Sequence, residues 1–304
     1  MDQPKQLLKY LNPDAIARIA AVGFKPLDRV EGGLVGNHRS PFHGFAIEFA
    51  GHRQYVPGDD LRHLDWKVFF KSGRYYTKQY ELETNFLAHI LVDVSASMTF
   101  AHRHGRKLDY AAFMAVALAS AVTAQGDQVA AALFADDIVT SFPPGGSEEV
   151  AINLSRALAE TPVKDRTAVG RILTQLAERI GRRKVVFVIS DFFGDVNATF
   201  DGIKRLLYGR NEVILLHVLA PLELDFDYPG RVELVELEGP GRLRLEGRNI
   251  RESYNAAFGK YLDEFETRSR KLNVDCIRCV TSANFGVTIA KYLNTRALTR
   301  GGRP

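Results

Sequence analysis

A chain of 304 residues, 46% hydrophobic and 25% charged, carries enough apolar material for a full core and the charge of an ordinary soluble globular protein. Its net charge of +4 is spread along the sequence rather than gathered in a block, and no motif for nucleic-acid binding accompanies it. No apolar run approaches the ~18 residues of a membrane span and the polar N-terminus has no signal-peptide core, so a cytoplasmic protein without membrane insertion is expected.

Residues 1–84 differ in texture from the rest and read as an N-terminal extension, with an α/β domain over 85–304. A helix is expected over residues 13–22, capped by Asn12 and with Pro13 at its first position. The Gly- and His-rich stretch at 31–40 reads as loop. Next comes Arg53-Gln54-Tyr55-Val56-Pro57-Gly58-Asp59-Asp60-Leu61-Arg62-His63-Leu64-Asp65-Trp66, a turn with a ready-made cap followed by one or two helical turns. Asp59, Asp60, Arg62, Asp65 and Trp66 mix both charge signs with a large aromatic. That mixture reads first as a loop tied down by ion pairs and indole packing, and second as a surface read by a partner. Residues 74–81 look like an edge strand. His38, His43, His52 and His63 match no ligand spacing and read as surface or loop histidines.

From Asn85 onward strands and helices alternate. Strands are expected at 86–93, 128–134, 138–142, 184–190, 212–219 and 274–280, and helices at 108–125, 148–159, 169–180, 200–207, about 250–270 and 285–294. A hairpin is expected from 232–237 and 242–245 through Gly239-Pro240-Gly241. Such βα units argue a mainly parallel, doubly wound sheet with helices on both faces. The basic clusters at 102–107 and 181–184 read as solvated loops. Cys276 and Cys279 form a C-x-x-C, but on a strand positions three apart face opposite ways, and no histidine partner follows. They read as ordinary thiols rather than a zinc or redox pair.

The chemistry concentrates at Ile90-Leu91-Val92-Asp93-Val94-Ser95-Ala96-Ser97-Met98. A strand ends in a carboxylate, and hydroxyls follow two and four residues later. Oxygen donors of this kind suit Mg²⁺, with Mn²⁺ as the other candidate. In a sheet ordered 3-2-1-4-5-6, ligands bind outside the carboxyl ends of strands 1 and 4, where the winding reverses. Strand 4 ends in Ser190-Asp191-Phe192, so Asp191 should stand beside Asp93. Thr167, ahead of the helix at 169, offers a third hydroxyl. Taken singly, Asp191 and Thr167 also read as helix caps.

The Asp-x-Ser-x-Ser spacing resembles the metal-ion-dependent adhesion site of von Willebrand factor A domains. Together with the Pro-Gly-Asp-Asp…Asp-Trp string, it resembles the bacterial family known as domain of unknown function 58, from about residue 35 to the C-terminus. The resemblance implies a von Willebrand factor A-like fold and an adhesion-type set of Asp93, Ser95, Ser97, Thr167 and Asp191. It further implies a MoxR-type AAA+ ATPase, or that ATPase's client, as partner. Asp165-Arg166 stands where Gly-Gly often precedes the threonine. Two functions remain: a Mg²⁺-dependent protein-binding adaptor, and a metal-dependent hydrolase or phosphatase using the same carboxylates. The adaptor is preferred, because Ser95 stands where an aspartyl phosphotransferase wants its second carboxylate, and no nucleophile elbow, P-loop or zinc-protease motif occurs.

Overall fold

A computed structural model describes residues 9–26, 47–82, 86–163, 168–228, 230–238 and 241–300. The loop at 31–40 with His38, the residues His43, Asp165, Arg166 and Thr167, and Gly239-Pro240 lie outside the described residues. The chain forms two units, residues 1–31 with 86–304, and residues 32–85.

Helix α1 (Pro13–Val22) starts as its sequence dictates: the Asn12 side chain accepts from the Ala15 N–H at 3.0 Å, and proline fills the first position. Its buried Ala15 and Ile19 join the core of the larger unit. It therefore belongs there and not, as expected, to a continuous extension over 1–84. The smaller unit pairs β1 (Ile47–Gln54) antiparallel with β2 (Tyr76–Leu82). Between them Asp60 caps a 3-10 turn at Leu61–His63, and Asp65 caps α2 (Trp66–Ser72), accepting from Lys67 N at 2.9 Å and Val68 N at 3.2 Å.

In the larger unit, β3 (Leu87–Asp93) leads through a two-strand ribbon, β4 (Ala101–His102) and β5 (Gly105–Arg106), into α3 (Lys107–Ala124). Strands β6 (Gln128–Phe134) and β7 (Ile138–Gly145) and helices α4 (Glu149–Glu160) and α5 (Val169–Ile180) follow. Then come β8 (Val185–Ser190), α6 (Val196–Tyr208), β9 (Glu212–Leu219) and the short α7 (Pro221–Asp225). A hairpin of β10 (Arg231–Val235) and β11 (Arg242–Glu246), then α8 (Gly247–Lys271), β12 (Asp275–Val280) and α9 (Phe285–Arg300), complete the described chain.

Six strands make the central sheet in the order β12-β9-β8-β3-β6-β7, parallel except for β7, which runs antiparallel to β6. Numbered within the sheet from the β7 edge, this is the expected 3-2-1-4-5-6. Because side chains alternate along a strand, β3 and β8 feed two apolar layers. Ala88, Ile90, Val92, Val185, Phe187 and Ile189 face a core shared with α1, α3, α4 and α9, whereas Leu91, Val186 and Val188 face one shared with α5, α6 and α8. The two cysteines divide the same way: Cys279 is buried in the first layer and Cys276 packs on the second, both as free thiols.

Helix α3 corrects one expectation. At 18 residues and a mean hydropathy of 1.3 it is, by length and composition alone, apolar enough to cross a membrane. Its alanine-rich surface is instead buried around most of its circumference, against α1, α4, α9 and β3. It also begins with a fully buried residue, Lys107. The basic cluster at 102–107 is thus not wholly solvated.

Candidate functional site

Parallel pairing of Val92 with Ile189 puts the ends of β3 and β8 side by side, so Asp93 stands next to Ser190 and one residue short of Asp191. The chain turns sharply after Asp93: Ser95 N–H donates to Asp93 Oδ1 at 2.9 Å, and a 3-10 turn at Ala96–Thr99 follows. That turn brings the Ser95 and Ser97 hydroxyls within 3.1 Å of each other. Asp93 and Ser95 are fully buried and Ser97 is half-buried.

From β8, the Ser190 hydroxyl donates to Asp93 Oδ2 at 2.6 Å and accepts from Phe192 N–H at 2.9 Å. Phe192 holds a left-handed backbone, φ 53°, uncommon for a bulky side chain. Its buried ring, 5.4 Å from the His217 ring and 5.1 Å from Phe265, locks the turn that presents Asp191. Asp191 Oδ1 accepts from Phe193 N–H at 3.2 Å, and its Oδ2 lies 2.7 Å from Lys107 Nζ. Lys107 Nζ also meets Glu223 Oε1 at 2.6 Å, while Glu223 Oε2 accepts from Ala220 N–H at 2.7 Å at the start of α7.

Electrostatics follow from this crowding. Burial, and then the negative charge of Asp191, push the Asp93 carboxyl up to about 7, against the hydrogen bonds from Ser190 and Ser95. Burial opposes the charge on Lys107, but Asp191 and Glu223 outweigh it and hold the ammonium above its ordinary range. Burial pushes the His217 imidazole down to about 4, which keeps it neutral within its aromatic surroundings. Counted as ions, Asp93, Asp191 and Glu223 exceed the single ammonium. Above them opens a cleft of about 320 Å³, lined by Ser97, Phe100, Lys107, Phe193, Gly194 and Glu223, and by Val235 to Glu238 at the end of β10.

Asp93, Ser95, Ser97 and Asp191, expected from sequence, thus meet at one sheet edge, while Thr167 lies outside the described residues. Asp59, Asp60, Arg62, Asp65 and Trp66 belong to the smaller unit. There Arg53 pairs with Asp59 at 2.7 Å, Arg62 with Asp60 at 3.2 Å, and His52 with Asp65 at 2.8 Å. These carboxylates tie down their own loop, and His52 is an exposed residue of β1, at the surface as expected. Trp66 is 53% exposed, with its indole edge-on to Phe69 at 6.1 Å between ring centres. Among the described residues, no group of three or more His, Cys, Asp or Glu side chains is placed to hold a metal ion. The crevice instead joins two carboxylates to hydroxyls. Sequence reasoning missed Lys107, Ser190 and Glu223. One signal was available for Lys107, a lone cation at the head of a helix that is largely apolar from Tyr110 onward.

The chain is 26% identical over 232 residues to uncharacterized proteins of Mycobacterium bovis (Mb1516) and Mycobacterium tuberculosis (Rv1480), covering 75% of this chain and 72% of each of those. Among solved structures it is similar to BatB, a conserved hypothetical protein of Bacteroides thetaiotaomicron. That similarity has a TM-score of 0.44 and 16% identity, over 70% of this chain and 99% of that one. The family model described as Protein of unknown function DUF58 matches residues 51–261, and the chain belongs to that family.

Proposed function

We propose that this chain is a metal-ion-dependent protein-binding adaptor of von Willebrand factor A-like, doubly wound fold, with an adhesion-type Mg²⁺ site. Its partner would be a MoxR-type AAA+ ATPase or that ATPase's client, in the cytoplasm. The observation that carries the reading is the convergence of Asp93, Ser95 and Ser97 with Asp191 at the carboxyl edge of β3 and β8. The strand order and the two-sided helical packing support the fold assignment.

The donors suit the ion. Carboxylate and hydroxyl oxygens are what a hard divalent cation takes, and the excess of carboxylates over ammonium leaves negative charge for it to neutralise. Burial and Asp191 both disfavour ionised Asp93, and a cation beside it would relieve that penalty. Asp93, Ser95, Ser97 and Asp191 would hold the ion, with Thr167 as the fifth position by resemblance. Bound Mg²⁺ would supply an electrophilic centre able to accept one more anionic oxygen, which an Asp or Glu of the partner provides. Ser97, half-buried and lining the cleft, lies where such a group would enter.

Binding is preferred over hydrolysis because the neighbouring titratable groups are committed. Lys107 is locked between two carboxylates, and His217 is neutral and enclosed by rings. The test is a pull-down of a purified MoxR-type ATPase with Mg²⁺ or with chelator. Recovery should fall with chelator, and in Asp93→Ala and Ser95→Ala, by about tenfold or more for a contact made through the ion. Equal recovery with and without chelator would overturn the metal-dependent reading.

A further inference from the structure

A cation already stands in the crevice. Lys107, with about 1% of its side chain exposed, places Nζ 2.7 Å from Asp191 Oδ2 and 2.6 Å from Glu223 Oε1, and 4.8 Å from the centre of the Phe193 ring. Burial works against any ammonium, and the positive end of α3 works against one at its first residue. Among the described residues the two carboxylates are the charges that compensate, with the Phe193 and Phe100 rings beside the ammonium, and they are fixed in turn: the second oxygen of Asp191 accepts from Phe193 N–H, and that of Glu223 from Ala220 N–H. Across the crevice Asp93 accepts from Ser95 N–H and from the Ser190 hydroxyl.

We propose that Lys107 is a built-in competitor for Asp191: its ammonium engages the second carboxylate, so that a divalent cation is held mainly through Asp93, Ser95 and Ser97 and binds loosely until an acidic partner group adds negative charge. The inference rests on the metal-site reading above. A metal approaching Asp191 Oδ2 would meet the ammonium one hydrogen-bond length away, where burial leaves like-charge repulsion poorly screened. Lys107 has no cheap way out, because leaving would strand Asp191 and Glu223 as buried, unpaired charges. The consequence is reciprocal. If the metal is weak without the partner's carboxylate, each must strengthen the other's binding. Lys107 is a positioning residue here, acting on the ion through Asp191.

Removing Lys107 alone would leave three carboxylates facing one another. The test therefore uses Lys107→Met with Glu223→Gln, which removes one charge of each sign and keeps the formal charge of the cluster. Mg²⁺ is titrated calorimetrically into the full chain as wild type, Asp93→Ala, Asp191→Asn, the paired variant, and the paired variant with Asp191→Asn. The paired variant should bind Mg²⁺ at least about tenfold more tightly, because Asp191 is released to the ion. Asp191→Asn should cost less than about threefold in the wild type and at least about tenfold in the paired background. A merely structural lysine would not produce that non-additivity.

Unchanged or weaker affinity in the paired variant, beside wild-type binding that Asp93→Ala abolishes, would overturn the role of Lys107 and leave the metal site standing. Absence of Asp93-dependent binding in the wild type would overturn both. If circular dichroism shows the paired variant unfolded, the single substitutions decide. Asp191→Asn costing as much as Asp93→Ala, where about a hundredfold loss is expected of the latter, would overturn the proposal, and a much smaller cost would support it.

Discussion

Asp109 fixes the entry of the helix whose first residue is Lys107. It lies in the first turn of α3, where a carboxylate complements the helix end, and meets Arg106 Nε at 2.8 Å, Arg106 Nη2 at 3.0 Å and the Tyr10 hydroxyl at 2.7 Å. Burial alone would raise its pKa, but the hydrogen bonds from Arg106 and Tyr10, with the charges of Arg106 and Lys9, hold the carboxyl at about 2. A folded-state value below the ordinary 3.8 means a stabilisation fully present above that value and lost as pH falls toward about 2. Because the side chain is partly exposed, screening reduces the contribution to about 1 kcal/mol. Asp109→Asn should therefore cost about 1 kcal/mol near neutrality and much less near pH 2, read from urea unfolding at both. An equal cost at both pH values would assign the loss to hydrogen-bond geometry rather than to charge.

Two helices beside the site meet through glycine. A Cβ on Gly170 of α5 would lie 2.2 Å from the carbonyl carbon of Ala198 in α6, and one on Gly202 of α6 would lie 2.7 Å from the Gly170 oxygen. Backbone meets backbone there, so no flexible side chain can yield. Gly170→Ala should destabilise by about 3 kcal/mol, whereas Gly259→Ala, in open space on α8, should change stability by less than about 1 kcal/mol. Similar denaturation midpoints for the two variants would show that α5 and α6 can separate freely. Such crossings leave little trace in sequence, unlike much of the sheet. The near-continuous apolar runs of β3 and β8 read directly as strands buried on both faces, and with them came the strand order and Asp191. Asp93, Ser95 and Ser97 were legible because one loop carries all three. Lys107 was not, because its partners lie 84 and 116 residues away and its neighbours Arg103, His104 and Arg106 suggest a solvated loop. Helix α7, five residues long, is too short to show a period. Strand β1 escaped notice because Gly51 and His52 interrupt its pattern.

The division into two units gives the whole molecule two reporters. Trp66, the single tryptophan of the chain, belongs to the unit of residues 32–85, whereas the long helices α3 and α8 belong to the other. Fluorescence thus follows one unit and far-ultraviolet circular dichroism is dominated by the other. A ligand that binds only folded protein stabilises by RT ln(1 + [L]/Kd), so Mg²⁺ at about ten times its dissociation constant adds about 1.4 kcal/mol. For the larger unit, residues 1–31 with 86–304, that is a rise in Tm of about 3–6 °C. All described donors of the proposed site lie in the larger unit, and Asp59, Asp60 and Asp65 are engaged by Arg53, Arg62 and His52 within the smaller one. The dichroism transition should therefore move by that amount, and the Trp66 transition by less than about 1 °C, relative to a sodium salt of equal ionic strength. Asp93→Ala should abolish the dichroism shift. A Trp66 transition that rose equally in wild type would mean that the two units unfold as one. A rise that survived Asp93→Ala would place the ion among the carboxylates of the smaller unit, against the site at the ends of β3 and β8.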